Sequence, residues 1–101
     1  MKASTARALS PDNRKLRDLA GIGKSIEANL YSLGVMSVTD LASRDGFELY
    51  DQLCAKTRTR QDPCVLDTFR CAVAQARNPR LPADQRNWWW WSRQRKLHEL
   101  S

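Results

Sequence analysis

The chain has 101 residues, of which 42% are apolar, and its 17 lysines and arginines outnumber 11 acids to give a net charge of +6. This length suits one small domain with a single modest core and excludes two independent domains. The positive balance favours a polyanion or an anionic surface as partner.

Membrane and secreted classes are disfavoured by the same sequence. No apolar run approaches the roughly 20 residues that a membrane-spanning helix requires, and residues 1–10 (MKASTARALS) lack the apolar core of a secretory signal. Three cysteines without paired short spacings fit a reducing compartment better than a disulfide framework. We therefore expect a cytoplasmic protein with no membrane contact.

The first predicted helix begins at Ser10-Pro11, a capping residue followed by a proline at the first helical position. It is expected to cover residues 11–20 and to turn Leu16 and Leu19 toward the core.

Two further helices are indicated by spacing and end signals. A second helix is predicted over residues 23–33, and Gly34 follows it where a left-handed residue commonly ends a helix. Ser37 and Asp40 have the spacing of a capping box, which predicts a short third helix through Ser43. The apolar residues of the second helix recur at helical intervals: Ile26, Leu30 and Leu33.

A fourth helix is predicted over residues 46–56, and a fifth over residues 63–77. The fifth starts at Asp62-Pro63, a cap followed by proline, and ends before Asn78-Pro79. The fourth carries an apolar face formed by Phe47, Tyr50 and Leu53.

The absence of period-2 alternation predicts an all-α fold, a single compact domain of about five short helices. We divide the chain into an N-terminal segment (1–10), a helical domain (11–77) and a Trp-rich, basic C-terminal extension (78–101). A short helix is expected in the extension over residues 89–100.

Residues 20–25 read AGIGKS, in which Lys-Ser after glycine suggests a phosphate contact. A nucleotide-binding P-loop requires a glycine five positions before the Gly-Lys-Ser, where this chain has Asp18, and it follows a strand rather than a helix. The pattern therefore disfavours nucleotide hydrolysis.

A nucleic-acid phosphate fits the same residues better. Glycines at positions 21 and 23 allow a sharp turn and a close approach to another molecule. The first amides of the second helix lack partners within that helix, and the helix dipole adds positive character there. Lys24 adds a full charge and Ser25 a further donor, and no base edge is involved, so sequence-independent binding is expected.

The stretch LRDLAGIGKSIEANLYSLGV resembles the helix-hairpin-helix motif. Gly21 and Gly23 match its two hairpin glycines, Ile22 the apolar residue between them, and Gly34 its closing glycine. The resemblance implies a SAM-like helical architecture and contact with the DNA backbone. The alternative is a simple interhelical turn with Ile22 in the core, in a fold that also serves protein–protein contacts.

Such motifs often occur in pairs, and helices four and five would form a second unit joined by residues 56–62 (KTRTRQD). That connection lacks the glycine pair, so the second hairpin is degenerate. Arg58 and Arg60 are candidate backbone contacts there, with a solvated charged loop as the alternative.

Three longer stretches and the Trp-rich end are similar to a small bacterial family of pathogenicity-locus or mitomycin-resistance proteins. The stretches are LAGIGKSIEANLYSLGV, ELYDQLC and RQDPCVLDTFRCAV, and with the Trp-rich end they span most of residues 16–91. The resemblance implies a helix-hairpin-helix domain with DNA as partner, whereas the family's labels describe no biochemical activity.

The cysteines leave two interpretations open. Cys64 and Cys71 are seven residues apart on the fifth helix, about 10 Å, which is too far for a mutual disulfide, although Cys54 could reach one of them. The thiols are either small packing residues in a helix buried on both sides, or a redox or metal cluster with Cys64 activated at the helix start. His98 is remote and no nucleophile–base pair is found, so we expect no enzyme activity, metal or cofactor.

The segment NWWWWS, residues 87–92, cannot place four indoles on one face of any regular structure. Some rings should pack on the domain, at least two of them buried, and the others should meet solvent or a partner. In order of preference we consider burial, a homodimer contact and base stacking in single-stranded nucleic acid. The interface candidates are Trp88, Trp89, Trp90 and Trp91.

The leading hypothesis is a non-catalytic protein that binds DNA through its backbone. The alternative is a protein-interaction or oligomerisation module that uses the same helices and the tryptophan surface. Neither requires a small-molecule substrate.

Overall fold

The structure, a computed structural model, describes residues 12–100 and is all-α, with no strand in that range. The N-terminal segment 1–10 and the proposed helix start at Pro11 lie outside the described residues. The helices are α1 (Lys24–Ser32), α2 (Val38–Ala42), α3 (Gly46–Thr57), α4 (Pro63–Arg77) and α5 (Trp88–Leu100), with 3-10 turns η1 (Leu16–Asp18) and η2 (Ala83–Arg86).

The predicted first helix is wrong over the described residues, since only η1 forms there. Asp12 accepts a hydrogen bond from the backbone N–H of Arg14 at 3.0 Å and pairs with its guanidinium at 2.7 Å. The same guanidinium donates to the Gln75 carbonyl of α4 at 2.9 Å. These bonds hold the residues before η1 in a non-helical conformation that competes with a helix. Leu16 and Leu19 are nevertheless buried, as expected.

The ends of α1 and α2 confirm the local signals in the sequence. Gly34 has φ +85°. Its N–H donates to the Tyr31 carbonyl at 3.0 Å, and the Val35 N–H donates to the Leu30 carbonyl at 2.9 Å. These are the two hydrogen bonds of a Schellman motif. Ser37 accepts from the N–H of Asp40 at 3.0 Å at the start of α2.

Helix α4 begins and ends where the sequence predicted, and α3 extends one residue further, to Thr57. The predicted apolar face of α3 is wrong at Phe47, which is 51% exposed, whereas Tyr50 and Leu53 are buried. A Cβ on Gly46 would lie 2.8 Å from the Cα of Arg70, so α3 starts against the α4 backbone. Phe47 stays outside and contacts the Arg70 guanidinium, 4.6 Å from its ring centre.

Helix α4 is central, because α2, α3 and α5 all pack against it. Within the described range, the core residues with no exposed surface are Leu30, Val35, Leu41, Leu49, Phe69 and Ala72. Among residues 12–100, no helix has both the length and the apolar character to cross a membrane.

Candidate nucleic-acid interface

The Gly-Ile-Gly segment forms a tight turn that leads directly into α1. Gly21 has φ +87°, a left-handed conformation that side chains rarely adopt. Ile22 is 5% exposed and anchors the turn in the core. Gly23 is extended at φ −94° and is the residue immediately before α1. A turn with left-handed Gly21 therefore forms where the sequence has its glycine pair, and buried Ile22 fits both the hairpin and the simple interhelical turn.

A buried glutamine of α4 positions the turn through two hydrogen bonds to the residue that precedes it. The Gln75 side chain accepts from the N–H of Ala20 and donates to its carbonyl, both at 2.9 Å. Gln75 is only 4% exposed, so these bonds are shielded from water. Sequence reasoning missed this residue, because nothing local distinguishes it from a solvent-facing glutamine and its partner is 55 positions away.

The start of α1 presents backbone donors without partners. The first helical bond runs from the Glu27 N–H to the Gly23 carbonyl at 3.0 Å. Within residues 12–100, no acceptor therefore meets the amides of residues 23–26. A Cβ on Gly23 would find no atom within 4 Å. The site is open to an incoming anion, and the helix dipole favours one.

The charge around these amides is positive. Lys24 and Ser25 are exposed, and neither side chain has a hydrogen bond or ion pair within the described part of the chain. Glu27, the acid of the first turn, is engaged elsewhere: it lies 3.7 Å from Arg17 and accepts from the Tyr31 hydroxyl at 3.2 Å. That hydrogen bond raises the pKa of Tyr31. The acid therefore offsets Lys24 less than sequence spacing suggests.

The second predicted contact lies in the connection between α3 and α4. Arg58 ends α3 with φ +54°, the left-handed position that a glycine would usually hold. Arg58 and Arg60 are exposed. No described contact joins either arginine to Lys24 or Ser25.

The two connections share α4 as their support. A Cβ on Gly21 would lie 3.9 Å from the methyl group of Thr68. Thr68 is five residues into α4, about 7.5 Å along the helix from Pro63. The Gly-Ile-Gly segment therefore lies along α4 between Thr68 and Gln75, and the Arg58–Arg60 connection precedes this helix.

The cysteines differ in their exposure to solvent. Cys71 is 1% exposed, and burial raises its pKa to about 11. Cys64 is exposed, and the hydrogen bond with Asp62 raises its pKa, which disfavours an activated thiol at the helix start. The packing interpretation holds for Cys71 and not for Cys64. No group of three or more metal-ligating side chains occurs in residues 12–100.

The tryptophans divide into two pairs at the start of α5. Trp90 and Trp91 are half-buried and meet edge to face at 5.1 Å, and the Trp91 Nε1 donates to the Gln85 carbonyl at 2.8 Å. Trp88 and Trp89 are 39% and 45% exposed. None of the four is fully buried, so the expected burial of two indoles is only partial.

Comparison with known proteins places the chain in a family. The model of the Cdd1 family, described as Pathogenicity locus, matches residues 11–97. The mitomycin resistance protein McrB of Streptomyces lavendulae is 38% identical over 87 residues, which cover 86% of this chain and 79% of that protein. No solved structure matches the chain. The chain belongs to the pathogenicity-locus family.

Proposed function

We propose that this protein binds DNA without regard to sequence, through the phosphate backbone, and catalyses no reaction. The observation that carries the proposal is the run of unpartnered amides at residues 23–26 beside Lys24. A phosphate oxygen satisfies such amides directly, and Lys24 and Ser25 add a charge and a donor.

The turn fits a helix-hairpin-helix unit, with one departure. Left-handed Gly21, buried Ile22 and extended Gly23 supply the hairpin, and left-handed Gly34 closes the motif. The helix before the hairpin is reduced to η1. Because Gln75 holds Ala20 from α4, the hairpin does not depend on a long first helix for its position.

The α3–α4 connection supports a second, weaker contact. It lacks the hairpin glycines, and Arg58 occupies the left-handed position instead. Arg58 and Arg60 therefore act as flexible charges rather than as a preformed amide site. One amide site and a few charges predict weak binding, with Kd about 10⁻⁴ to 10⁻⁶ M at physiological salt, as for other non-specific binders.

A protein-interaction module is the second candidate, favoured by the exposed apolar surface of α5. Trp88 and Trp89 are 39% and 45% exposed and Leu97 is 57% exposed. Surface of this kind is common at protein contacts. A contact centred on it would depend little on salt.

The test is fluorescence anisotropy of the full chain with labelled single-stranded, duplex and branched DNA over a series of salt concentrations. DNA-backbone binding predicts an affinity that falls steeply with salt and is the same for unrelated sequences of one form. Absence of binding at low salt, or an affinity that does not change with salt, would instead support the interaction module.

A further inference from the structure

The outer surface of α5 carries an aromatic ring and two cations in one stripe. Trp89 is 45% exposed, and the Arg93 guanidinium lies over its ring at 4.6 Å. Lys96 is exposed one turn further along. At about 100° per residue the three side chains fall within roughly 60° of one another around the helix.

Two contacts fix α5 against α4 and give its direction. Arg95 pairs with Asp67 at 3.0 Å, and the Arg70 guanidinium lies 5.1 Å from the Trp91 ring. Because the later residue of α5 meets the earlier residue of α4, the helices run antiparallel. The start of α5, including Trp89, is therefore level with the second half of α4.

The stripe lies on the flank of α4 that supports the Gly-Ile-Gly turn. Trp91 contacts Arg70 on the α3 side of α4. Trp89 is two residues away, about 160° around α5, so it faces the opposite flank. Gln75 lies about 140° around α4 from Arg70, which places it on that same flank. There its side chain binds the backbone of Ala20.

The partner is identified by this combination of groups. Stacking of bases on aromatic rings beside cations is the usual way in which proteins hold single-stranded nucleic acid. A duplex hides its base faces, whereas an unpaired strand exposes them. A second copy of this chain fits poorly, because a two-fold contact at the stripe would bring Arg93 and Lys96 close to their own copies in a protein of net charge +6.

We propose that Trp89, Arg93 and Lys96 form a stacking site for an unpaired segment of DNA whose backbone is held at the hairpin. Trp89 stacks on a base, and Arg93 and Lys96 contact adjacent phosphates. This inference rests on the proposed DNA binding and extends it, because it gives the protein a preference for single-stranded over fully duplex DNA.

The experiment compares Trp89→Ala, Trp89→Phe and the control Trp88→Ala in anisotropy titrations of the full chain. The probes are a labelled oligothymidylate and a blunt duplex of equal length. Trp89→Ala should weaken oligothymidylate binding about fivefold or more, the loss of one stacked base, and leave duplex binding unchanged. Trp89→Phe retains a ring and should keep most of the affinity. Trp88→Ala should resemble the parent on both probes.

Lys24→Glu in the same series separates this inference from the proposed function. If Lys24→Glu weakens binding of both probes and Trp89→Ala changes neither, the hairpin binds DNA and the stacking site is disproved. If Lys24→Glu changes neither probe, the hairpin proposal fails. Sedimentation of the same samples tests self-association. If the parent is a dimer that Trp89→Ala dissociates, and the affinity for oligothymidylate is unchanged, then Trp89 serves self-association and the stacking site is disproved.

Discussion

Arg95 of α5 makes a two-pronged ion pair with Asp67 of α4, with Nε–Oδ1 and Nη2–Oδ2 distances of 3.0 and 3.1 Å. Asp67 has no exposed surface, whereas the Arg95 side chain is 18% exposed. Hydrogen bonding to Asp67 raises the pKa of Arg95. The pair fastens the tryptophan-bearing helix to the centre of the fold, and the two partners differ in their access to water.

That difference predicts unequal losses of stability. Arg95→Ala leaves a fully buried carboxylate unpaired and should lower the free energy of unfolding by about 3–5 kcal/mol. Asp67→Ala leaves a guanidinium that can reach water, so its cost should be smaller. Urea unfolding measures both, and Arg93→Ala, an exposed arginine on the same helix, is the control. An Asp67→Ala loss equal to or larger than that of Arg95→Ala would contradict the account.

Gln75→Met tests the support of the hairpin. Methionine preserves the volume of the side chain and removes both bonds to Ala20, so about 1–3 kcal/mol should be lost for the buried groups left without partners. The hydrogen-bonded amides of Ala20 and Ile22 should exchange with solvent faster, and DNA binding should weaken. Gln94→Met, a half-buried glutamine on α5, is the control. Unchanged hairpin exchange would show that Gln75 does not position the turn.

The two hairpin glycines should respond differently to substitution. Gly21→Ala forces a side chain into φ +87°, which costs about 1–2 kcal/mol. Gly23→Ala keeps an allowed φ of −94° with no atom within 4 Å of the new Cβ, and it should cost less. Gly23→Val should fold and yet bind DNA more weakly, because the branched side chain blocks close approach. Thermal unfolding and anisotropy together measure these effects, and equal stabilities of the two alanine variants would contradict them.

Burial of Cys71 predicts both its reactivity and a loss of stability in alkali. Its pKa rises from 9.0 to about 11, so the folded state holds the thiol proton more tightly than the unfolded state. The resulting stabilisation is fully present below pH 9 and is lost as pH rises toward 11. Cys71→Ala should therefore lose less stability than the parent over that interval.

Differences in burial also predict the order in which the thiols react with iodoacetamide. Mass spectrometry of the native protein should find exposed Cys64 alkylated first and Cys71 last, although the raised pKa of Cys64 slows its reaction at neutral pH. Alkylation of Cys71 before Cys64 without unfolding would show that α5 does not cover it.

Local signals predicted much of this fold, and contacts between distant residues account for the rest. Gly34, Ser37 and Asp62-Pro63 mark helix ends through their own backbone preferences, so the sequence predicted α1, α2 and α4 well. The prediction of the first helix was wrong because the Arg14 guanidinium donates to the Gln75 carbonyl, 61 residues away. Within the site, the turn before α1 was predictable from its glycines.

The supports of the site were not visible in the sequence. Gln75 and Asp67 are polar residues on a helix, and their burial depends on neighbours contributed by Ala20 and Arg95. Helical spacing predicted that Phe47 lies on the apolar face, but the close approach of Gly46 to α4 leaves its side chain exposed. A pattern on one helix does not record which other element covers it.

The most direct test of DNA binding at the hairpin is the salt dependence of duplex affinity for Lys24→Glu. The control is Arg80→Glu, which makes the same charge change at an exposed arginine after α4. Lys24→Glu should weaken binding equally for all sequences and reduce the salt slope by about 1, because it removes a backbone contact. Arg80→Glu should leave the slope unchanged. A Lys24→Glu protein with native circular dichroism and the parent's affinity and slope would contradict phosphate binding at the hairpin.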